Sequence, residues 1–348
     1  MSKEIGVAII GCGYWGINYV RVFSELPNAR VVVACDQRAE RLHEVGQRFP
    51  GVVLTTHAEE AVKMKNVDAV VVCTTATTHF DIARRSILAE KPTLIEKPLT
   101  RTAAESEELV HLAELHGVLI MVGHTFIYNP AIERVKEYTQ SDQLGQMYYL
   151  YARRTNLGPI RQDVNALWDL APHDISIFNY WLDTKPDWVS AVGARVLGNG
   201  REDVGFVALG YPNGVVGHIH VSWADPNKVR ELVVVGSKQR IVFDDINIQE
   251  RVRVFEKGVT PIQTDSSNYG EFQLLMRDGD IISPRIAVSE PLKNECIHFL
   301  EAIEQGKQPK SGGKEGWEVV QVMEAIDRSV ELHGAPVEVG LLHKAVGM

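Results

Sequence analysis

The chain reads as two unlike halves. Residues 1–123 are predicted to form an α/β domain with a doubly wound parallel sheet, and residues 124–348 an α+β domain with a large, mostly antiparallel sheet. Three observations carry this reading. Short apolar runs rich in β-branched residues alternate with amphipathic helical patterns through the first 123 residues, as a parallel sheet with helical crossovers requires. From about residue 145 that alternation gives way to consecutive strand-like runs. Between two of these runs, Pro212-Asn213-Gly214 is a strong hairpin signal, so neighbouring strands are joined by tight turns and run antiparallel.

In the first half, strands are expected at 5–10, 30–35, 52–55, 68–73, 93–96 and 119–122, with helices at about 14–26, 38–48, 57–64, 78–90 and 102–116. Thr102 and Glu105 have capping-box spacing, and Gly117 is a natural helix stop. In the second half a long strand is expected at 146–156, then a loop containing Gly158-Pro159 and a helix from Pro172 to Leu182. Strands follow at about 187–198, 203–211, 214–223, 229–235 and 239–244, and two helices at 288–305 and 314–333 close the chain. Residues 257–285 lack a clear period and receive no assignment. An open sheet covered by helices on one face leaves another face free. Here that face carries Val215, Val233 and Val235, which points to a homo-oligomer, a homodimer or homotetramer.

With 348 residues, 45% of them hydrophobic and 23% charged, the chain suits a soluble protein of two domains. A net charge of −9 argues against a nucleic-acid surface. Cys12, Cys35, Cys73 and Cys296 are far apart and form neither a disulfide framework nor a zinc pattern. The N-terminus leads straight into a strand with no basic leader, and no apolar run reaches membrane-spanning length, so a cytoplasmic protein without a membrane partner is expected.

Gly11-Cys12-Gly13-Tyr14-Trp15-Gly16 fits G-x-G-x-x-G after the first strand and opening the first helix. Gly11 makes the turn, Gly13 lets backbone approach a pyrophosphate, and Gly16 packs helix on strand, while the helix N-terminus offers N–H groups to phosphate. Asp36 ends the second strand 20 residues beyond Gly16, where an acid holds the adenosine ribose hydroxyls. A Rossmann domain binding NAD follows. A carboxylate there would repel the 2′-phosphate of NADP, although Arg38 and Arg41 nearby offer that phosphate partners. Tyr14 and Trp15 border the loop. Thr75 and His79 follow the fourth strand at its carboxyl end, and are expected beside the cofactor while the threonines cap the next helix.

Glu96-Lys97-Pro98 ends the fifth strand, and the proline restricts Lys97 to extended geometry. A lysine there suits a fixed charge aimed at substrate, with Glu96 beside the cofactor; as a plain alternative it is a surface lysine. A second group is Trp168-Asp169-Leu170-Ala171-Pro172-His173-Asp174. Pro172 fits the first position of a helix, which puts His173 in the first turn, where the helix dipole disfavours imidazolium and leaves a ring ready to accept a proton. On this reading Asp169 lies before the helix and shares no face with His173; it orients the imidazole or binds a hydroxyl. Asp174 simply complements the dipole. His218 and His220 lie on one strand face without a third ligand, so no metal is expected. Arg153, Arg154 and Arg161 fall within nine positions that contain no acid, and Arg161, with Asn156 and Tyr128, is a candidate substrate contact suited to phosphate oxygens.

The glycine motif, Glu96-Lys97-Pro98 and Asp169-x-x-x-His173, in this order and at these separations, resemble the Gfo/Idh/MocA family of nicotinamide-dependent sugar and cyclitol oxidoreductases over essentially the whole chain. The resemblance implies that Lys97 and His173 flank the reacting hydroxyl, that Asp169 assists, that the Lys97-Pro98 bond is cis, and that the second domain mediates dimers or tetramers. Gly13–Gly16, Val122–Pro130 and Leu167–Ser176 look like the branch containing UDP-N-acetylglucosamine 3-dehydrogenase. The expected activity is then oxidation of a secondary hydroxyl, at C3 of a UDP-N-acetylglucosamine-type sugar nucleotide. Inositol or a free or phosphorylated sugar are the alternative substrates. The family also holds an NAD-bound, sugar-responsive regulator without turnover, a rival reading from another class.

Overall fold

The computed structural model describes residues 4–158, 160–161, 164–261 and 274–340. Pro159, part of the expected loop, and residues 262–273 of the unassigned stretch lie outside them. Along the chain run β1 (Ile5–Ile10), α1 (Tyr14–Glu25), β2 (Ala29–Cys35), α2 (Ala39–Arg48), β3 (Val53–Thr55), α3 (Ala58–Lys63), β4 (Ala69–Val72), α4 (His79–Leu88), β5 (Thr93–Glu96), α5 (Ala103–His116) and β6 (Ile120–Gly123). There follow α6 (Pro130–Thr139), β7 (Met147–Thr155), α7 (Ala166–Leu182), β8 (Trp188–Ala194), β9 (Val204–Gly210), β10 (Val216–Ser222), β11 (Val229–Gly236), β12 (Arg240–Asp244) and β13 (Val252–Phe255). The chain ends with β14 (Gly258–Pro261), β15 (Leu274–Arg277), β16 (Ile281–Ile282), α8 (Pro291–Gln305), α9 (Gly313–Glu331) and β17 (Val337–Glu338).

Two compact units result: Met1–Asn129 with Ser289–Glu324, and Pro130–Val288 with Ala325–Met348. The division therefore falls after Asn129 where residue 123 was expected, and residues 289–324 join the first unit although the sequence reading put them in the second. The apolar stripe of α8, with Leu292, Cys296, Phe299 and Leu300 buried, shows that the helix needs a partner but not which sheet supplies it.

The first unit is a six-stranded parallel sheet of order β3-β2-β1-β4-β5-β6. This is the Rossmann order. Every residue of β1, β4, β5 and β6 is buried, as expected of strands with helices on both faces. The Thr102–Glu105 capping box forms at α5, and Gly117 ends it with φ of 61°. The order reverses between β1 and β4, and the loops after those two strands open at that switch point.

The second unit holds a nine-stranded sheet of order β16-β13-β12-β11-β7-β10-β9-β8-β17. Neighbours pair antiparallel except β10 with β7. Period-two alternation sends Leu150, Ala152 and Arg154 of β7 to the buried side, and Tyr149, Tyr151 and Arg153 to the other. Val233 and Val235 pair with Tyr151 and Tyr149 and so share that second face, whereas Val215 sits in the β9–β10 turn. His218 and His220 line the same face and stack on Phe206 at 6.4 and 4.4 Å between ring centres. The period failed to announce α6, β13 and β17; in the unassigned stretch β14 and β15 pair antiparallel and β16 pairs with β13.

Candidate active site

In the nucleotide loop the structure separates the roles of the glycines. Gly11 has φ of +95°, and a Cβ on it would stand 2.7 Å from the Cys73 carbonyl; a Cβ on Gly16 would stand 1.8 Å from the Gly11 oxygen. Both are explained by the chain itself. At Gly13 a Cβ would meet only the Arg38 guanidinium, at 3.8 Å. Gly13 is also the N-cap of α1 and supplies no side-chain cap, so the first N–H groups of α1 can serve an anionic ligand. Tyr14 and Trp15 flank this loop 79% and 44% exposed, in an edge-to-face pair. These residues fit a dinucleotide pyrophosphate.

Asp36 directly follows β2 and is buried. Its Oδ2 accepts the Cys12 N–H at 2.8 Å and its Oδ1 the Arg38 N–H at 2.9 Å, with the Arg38 guanidinium 3.1 Å away. Burial alone would raise its pKa, but the Arg38 and Cys12 donors outweigh burial and hold the carboxyl below the usual range. Asp36 is thus ionised but already partnered. Beside it, burial first and then the Asp36 charge push the Cys12 thiol up to about 12, so that cysteine is inert near neutral pH.

In the loop after β4, Thr75 is exposed and its hydroxyl meets that of Thr77 at 3.0 Å. None of the threonines caps α4 through its side chain; the Thr78 hydroxyl turns back to Thr74 and to the Thr75 carbonyl. His79 is 1% exposed, with one ring nitrogen 2.8 Å from the Pro98 carbonyl and the other 3.1 Å from that of Thr74. It is a strut between the β4 loop and the Lys97-Pro98 turn. The Lys97-Pro98 bond is cis. Lys97 is half-buried directly after β5, and its backbone N–H donates to Glu96 Oε2 at 3.1 Å. Glu96 is 7% exposed and accepts the Tyr19 hydroxyl at 3.0 Å, so it braces Lys97 from behind. Tyr128 is 1% exposed; its hydroxyl meets Ser311 at 2.9 Å and Lys310 lies over its ring. Its neighbours in this unit are core groups.

The second unit corrects the expectation for Asp169 and His173. α7 starts at Ala166, not Pro172, with Asn165 as N-cap accepting the Trp168 N–H at 2.9 Å. Pro172 lies inside the helix. Two contacts hold the early turns in place: Trp168 Nε1 donates to Asp327 at 2.7 Å, and Arg154 on β7 makes a buried ion pair with Asp174, closest at 2.6 Å. Tertiary anchoring thus overrides the preference of proline for a helix start. Asp169 and His173 are consequently one turn apart on one helix face, and His173, the eighth residue of α7, lies beyond the first turn, where the dipole argument no longer applies. Asp169 accepts from Arg161 at 3.2 Å and from Trp223 Nε1 at 3.4 Å. Arg161 is therefore tied to a candidate catalytic residue. Asn156 follows β7 half-buried, its N–H bonded to the Ser222 carbonyl.

Three buried polar residues near the Glu96-Lys97 turn escaped the sequence reading. His124, directly after β6, is 2% exposed; burial, with the Lys97 charge adding to it, pushes its imidazole down to about 3, so the ring is neutral. Tyr19 and Glu295 meet beside Glu96. Their signal was present, since each is a polar group on the apolar stripe of its helix: Tyr19 between Gly16 and Phe23, and Glu295 between Leu292 and Phe299.

Residues 5–124 match the model of an oxidoreductase family with an NAD-binding Rossmann fold, and residues 132–242 match the GFO/IDH/MocA C-terminal domain. The chain belongs to the Gfo/Idh/MocA family. A crystal structure from Magnetospirillum magnetotacticum MS-1 is 30% identical, with a TM-score of 0.78 over 93% of this chain and 99% of that one. Myo-inositol 2-dehydrogenase of Thermotoga maritima is 24% identical over 336 residues, 93% of this chain and 96% of that protein. UDP-N-acetylglucosamine 3-dehydrogenase of Acidithiobacillus ferrooxidans is 25% identical over 258 residues, 72% and 76% of the two chains. The chain is accordingly a nicotinamide-dependent dehydrogenase of a family acting on sugars and polyols. Among the described residues no helix is long and apolar enough to cross a membrane.

Proposed function

We propose that the chain oxidises a secondary hydroxyl of a sugar, at C3 of a UDP-N-acetylglucosamine-type sugar nucleotide, using NAD. The cofactor, when bound by Gly11, Gly13, Gly16 and Asp36, supplies the hydride acceptor. His173 takes the hydroxyl proton, Lys97 stabilises the developing alkoxide, and Asp169 orients the imidazole from one turn before it on α7. The observation that carries this reading is the Asp169/His173 spacing on one helix of the second unit; within the first unit, a lysine fixed at the carboxyl edge of a Rossmann strand supports it. NAD is preferred over NADP because the ionised Asp36 carboxylate would face a 2′-phosphate. Arg38, paired with it, limits that preference.

A second reading keeps the chemistry and replaces the substrate by an uncharged polyol such as inositol. What favours it is the Arg161–Asp169 ion pair, which occupies the cation meant for a pyrophosphate. NADH formation across a panel of UDP-sugars, sugar phosphates, free sugars and inositols tests both readings. Turnover that is fastest on an uncharged polyol overturns the sugar-nucleotide assignment; NAD binding without turnover on any of them returns the regulator reading. We infer further that the open sheet face pairs with a second copy, because Tyr149, Phe206, Val192 and Val216 leave apolar surface exposed there. Light scattering on the purified protein tests that; a monomer excludes it.

A further inference from the structure

Behind Lys97, one phenol lies between two carboxyl groups. The Tyr19 hydroxyl is 3.0 Å from Glu96 Oε1 and 2.8 Å from Glu295 Oε1. Tyr19 and Glu295 are fully buried and Glu96 is 7% exposed. Gly123, paired with Glu96 across β5 and β6, makes room for this contact: a Cβ there would lie 3.2 Å from the Tyr19 hydroxyl and 3.4 Å from the Glu96 carboxyl carbon.

One phenolic proton cannot serve two carboxylates. With both ionised, one carboxylate oxygen would face the phenol oxygen lone pair to lone pair at a buried position, where an uncompensated charge is costly. One of the two must therefore carry a proton. Glu96 already accepts a backbone N–H from Lys97, which suits the anion. The groups facing Glu295 are Glu96 from β5, Tyr19 from α1, Thr125 after β6, Cys73 after β4 and Cys296 on its own helix. Burial, then the Glu96 charge, push the Glu295 carboxyl up to about 8, only partly opposed by the Thr125 and Tyr19 hydroxyls. The chain of donors then has one direction: Glu295 O–H to the Tyr19 oxygen, Tyr19 O–H to Glu96, and Lys97 N–H to Glu96.

We propose that Glu295 is a positioning residue for Lys97, holding a proton that keeps Tyr19 on Glu96 and Glu96 on the Lys97 backbone. Ionising it puts a second buried carboxylate beside Glu96 and loosens the brace. The proposal rests on the reading of Lys97 as catalytic, and it adds an alkaline switch to that reading.

The test compares wild type, Glu295→Gln and Glu295→Leu as full-length proteins. Glutamine is neutral and keeps a donor for the Tyr19 oxygen, whereas leucine keeps only volume. At pH 7 the infrared C=O stretch of a protonated carboxylic acid is expected in wild type, weakened in Glu295→Gln, and lost from wild type as pH passes about 8. The folded pKa is raised from 4.5, so the wild-type stability that depends on this proton is complete below about pH 4.5 and is lost as pH rises toward about 8. The Tm of Glu295→Gln should thus gain on wild type across that window and hold a constant lead above it. In turnover, Glu295→Leu should lose about tenfold in kcat with NAD affinity intact. Glu295→Gln should recover most of that loss and lack the fall in kcat that wild type shows above about pH 8. An undiminished band in Glu295→Gln, a Tm difference that does not change with pH, or the same alkaline fall in both proteins overturns the proposal. The infrared and thermal measurements need no turnover, so their failure removes the Glu295 role alone. A Lys97→Ala enzyme with normal kcat removes instead the reading on which that role rests.

Discussion

The two units hold their candidate catalytic residues by different means. Lys97 sits at the end of a parallel strand with neighbours on both sides, and β5 is buried throughout. Its position follows from the sheet ladder, and Glu96 adds a brace from behind. Asp169 and His173 ride on α7, a helix with a proline inside it. That helix is held by the Asn165 cap, by the Trp168–Asp327 hydrogen bond and by the Arg154–Asp174 ion pair. A site residue on a parallel strand inherits its place from the fold, whereas one on this helix depends on a few specific polar contacts.

The largest expected effect strikes the second arrangement. Arg154 is 4% exposed and Asp174 is fully buried. Arg154→Ala leaves that carboxylate without its partner, a loss of about 3–5 kcal/mol for a buried pair. Urea denaturation should show it, and the double variant Arg154→Met with Asp174→Leu should recover a good part. A loss below about 1 kcal/mol would mean that α7 is anchored by its apolar face alone.

Next come the two proposed catalytic groups. Lys97→Ala and His173→Ala should each reduce kcat by about 10²-fold or more, the usual scale for a positioned electrostatic or acid–base group, while NAD affinity measured by titration changes little. Near-normal kcat in both variants refutes the assignment. A large loss in only one shows which unit carries the chemistry.

The legibility of the sequence follows the same contrast. The six parallel strands, the capping box, the glycine loop and Glu96-Lys97-Pro98 were all readable, because local pattern and tertiary structure demand the same conformation there. α7 was misread because Pro172 is a strong local start signal, and the contacts that override it come from Asp327 and Arg154, distant in sequence. Residues 289–324 went to the wrong unit for a related reason, since an amphipathic stripe carries no address. Tyr128, His79 and Glu96, the expected ligand neighbours, are buried and hydrogen-bonded inside the first unit, contacts that no local pattern announces.

A smaller effect is expected at Arg161. Because it is paired with Asp169, Arg161→Ala removes a cation from the proposed substrate and a partner from a catalytic residue together. KM for a UDP-sugar should rise several-fold, the scale of one exposed charge–phosphate contact, and kcat should fall as Asp169 loses its restraint. A KM that stays fixed while kcat falls assigns Arg161 wholly to Asp169 and favours an uncharged substrate.

The smallest test sets one helix start against the other. Thr102 caps α5 in the first unit by accepting the Glu105 N–H at 3.2 Å, with the Glu105 carboxylate returning to the Thr102 N–H. Asn165 caps α7 in the second by accepting the Trp168 N–H at 2.9 Å, and its own amide donates to Glu202 at 3.0 Å. Replacing either residue by Ala should cost about 1 kcal/mol, the typical value for a lost N-cap. The Thr102 result is fixed by local sequence and serves as the control. The Asn165 result decides where α7 begins. If the helix started at Pro172, Asn165 would lie seven residues upstream in a loop and Asn165→Ala would be close to neutral in denaturant midpoint. A loss equal to that of Thr102→Ala places the start at Ala166, and with it Asp169 and His173 on one face.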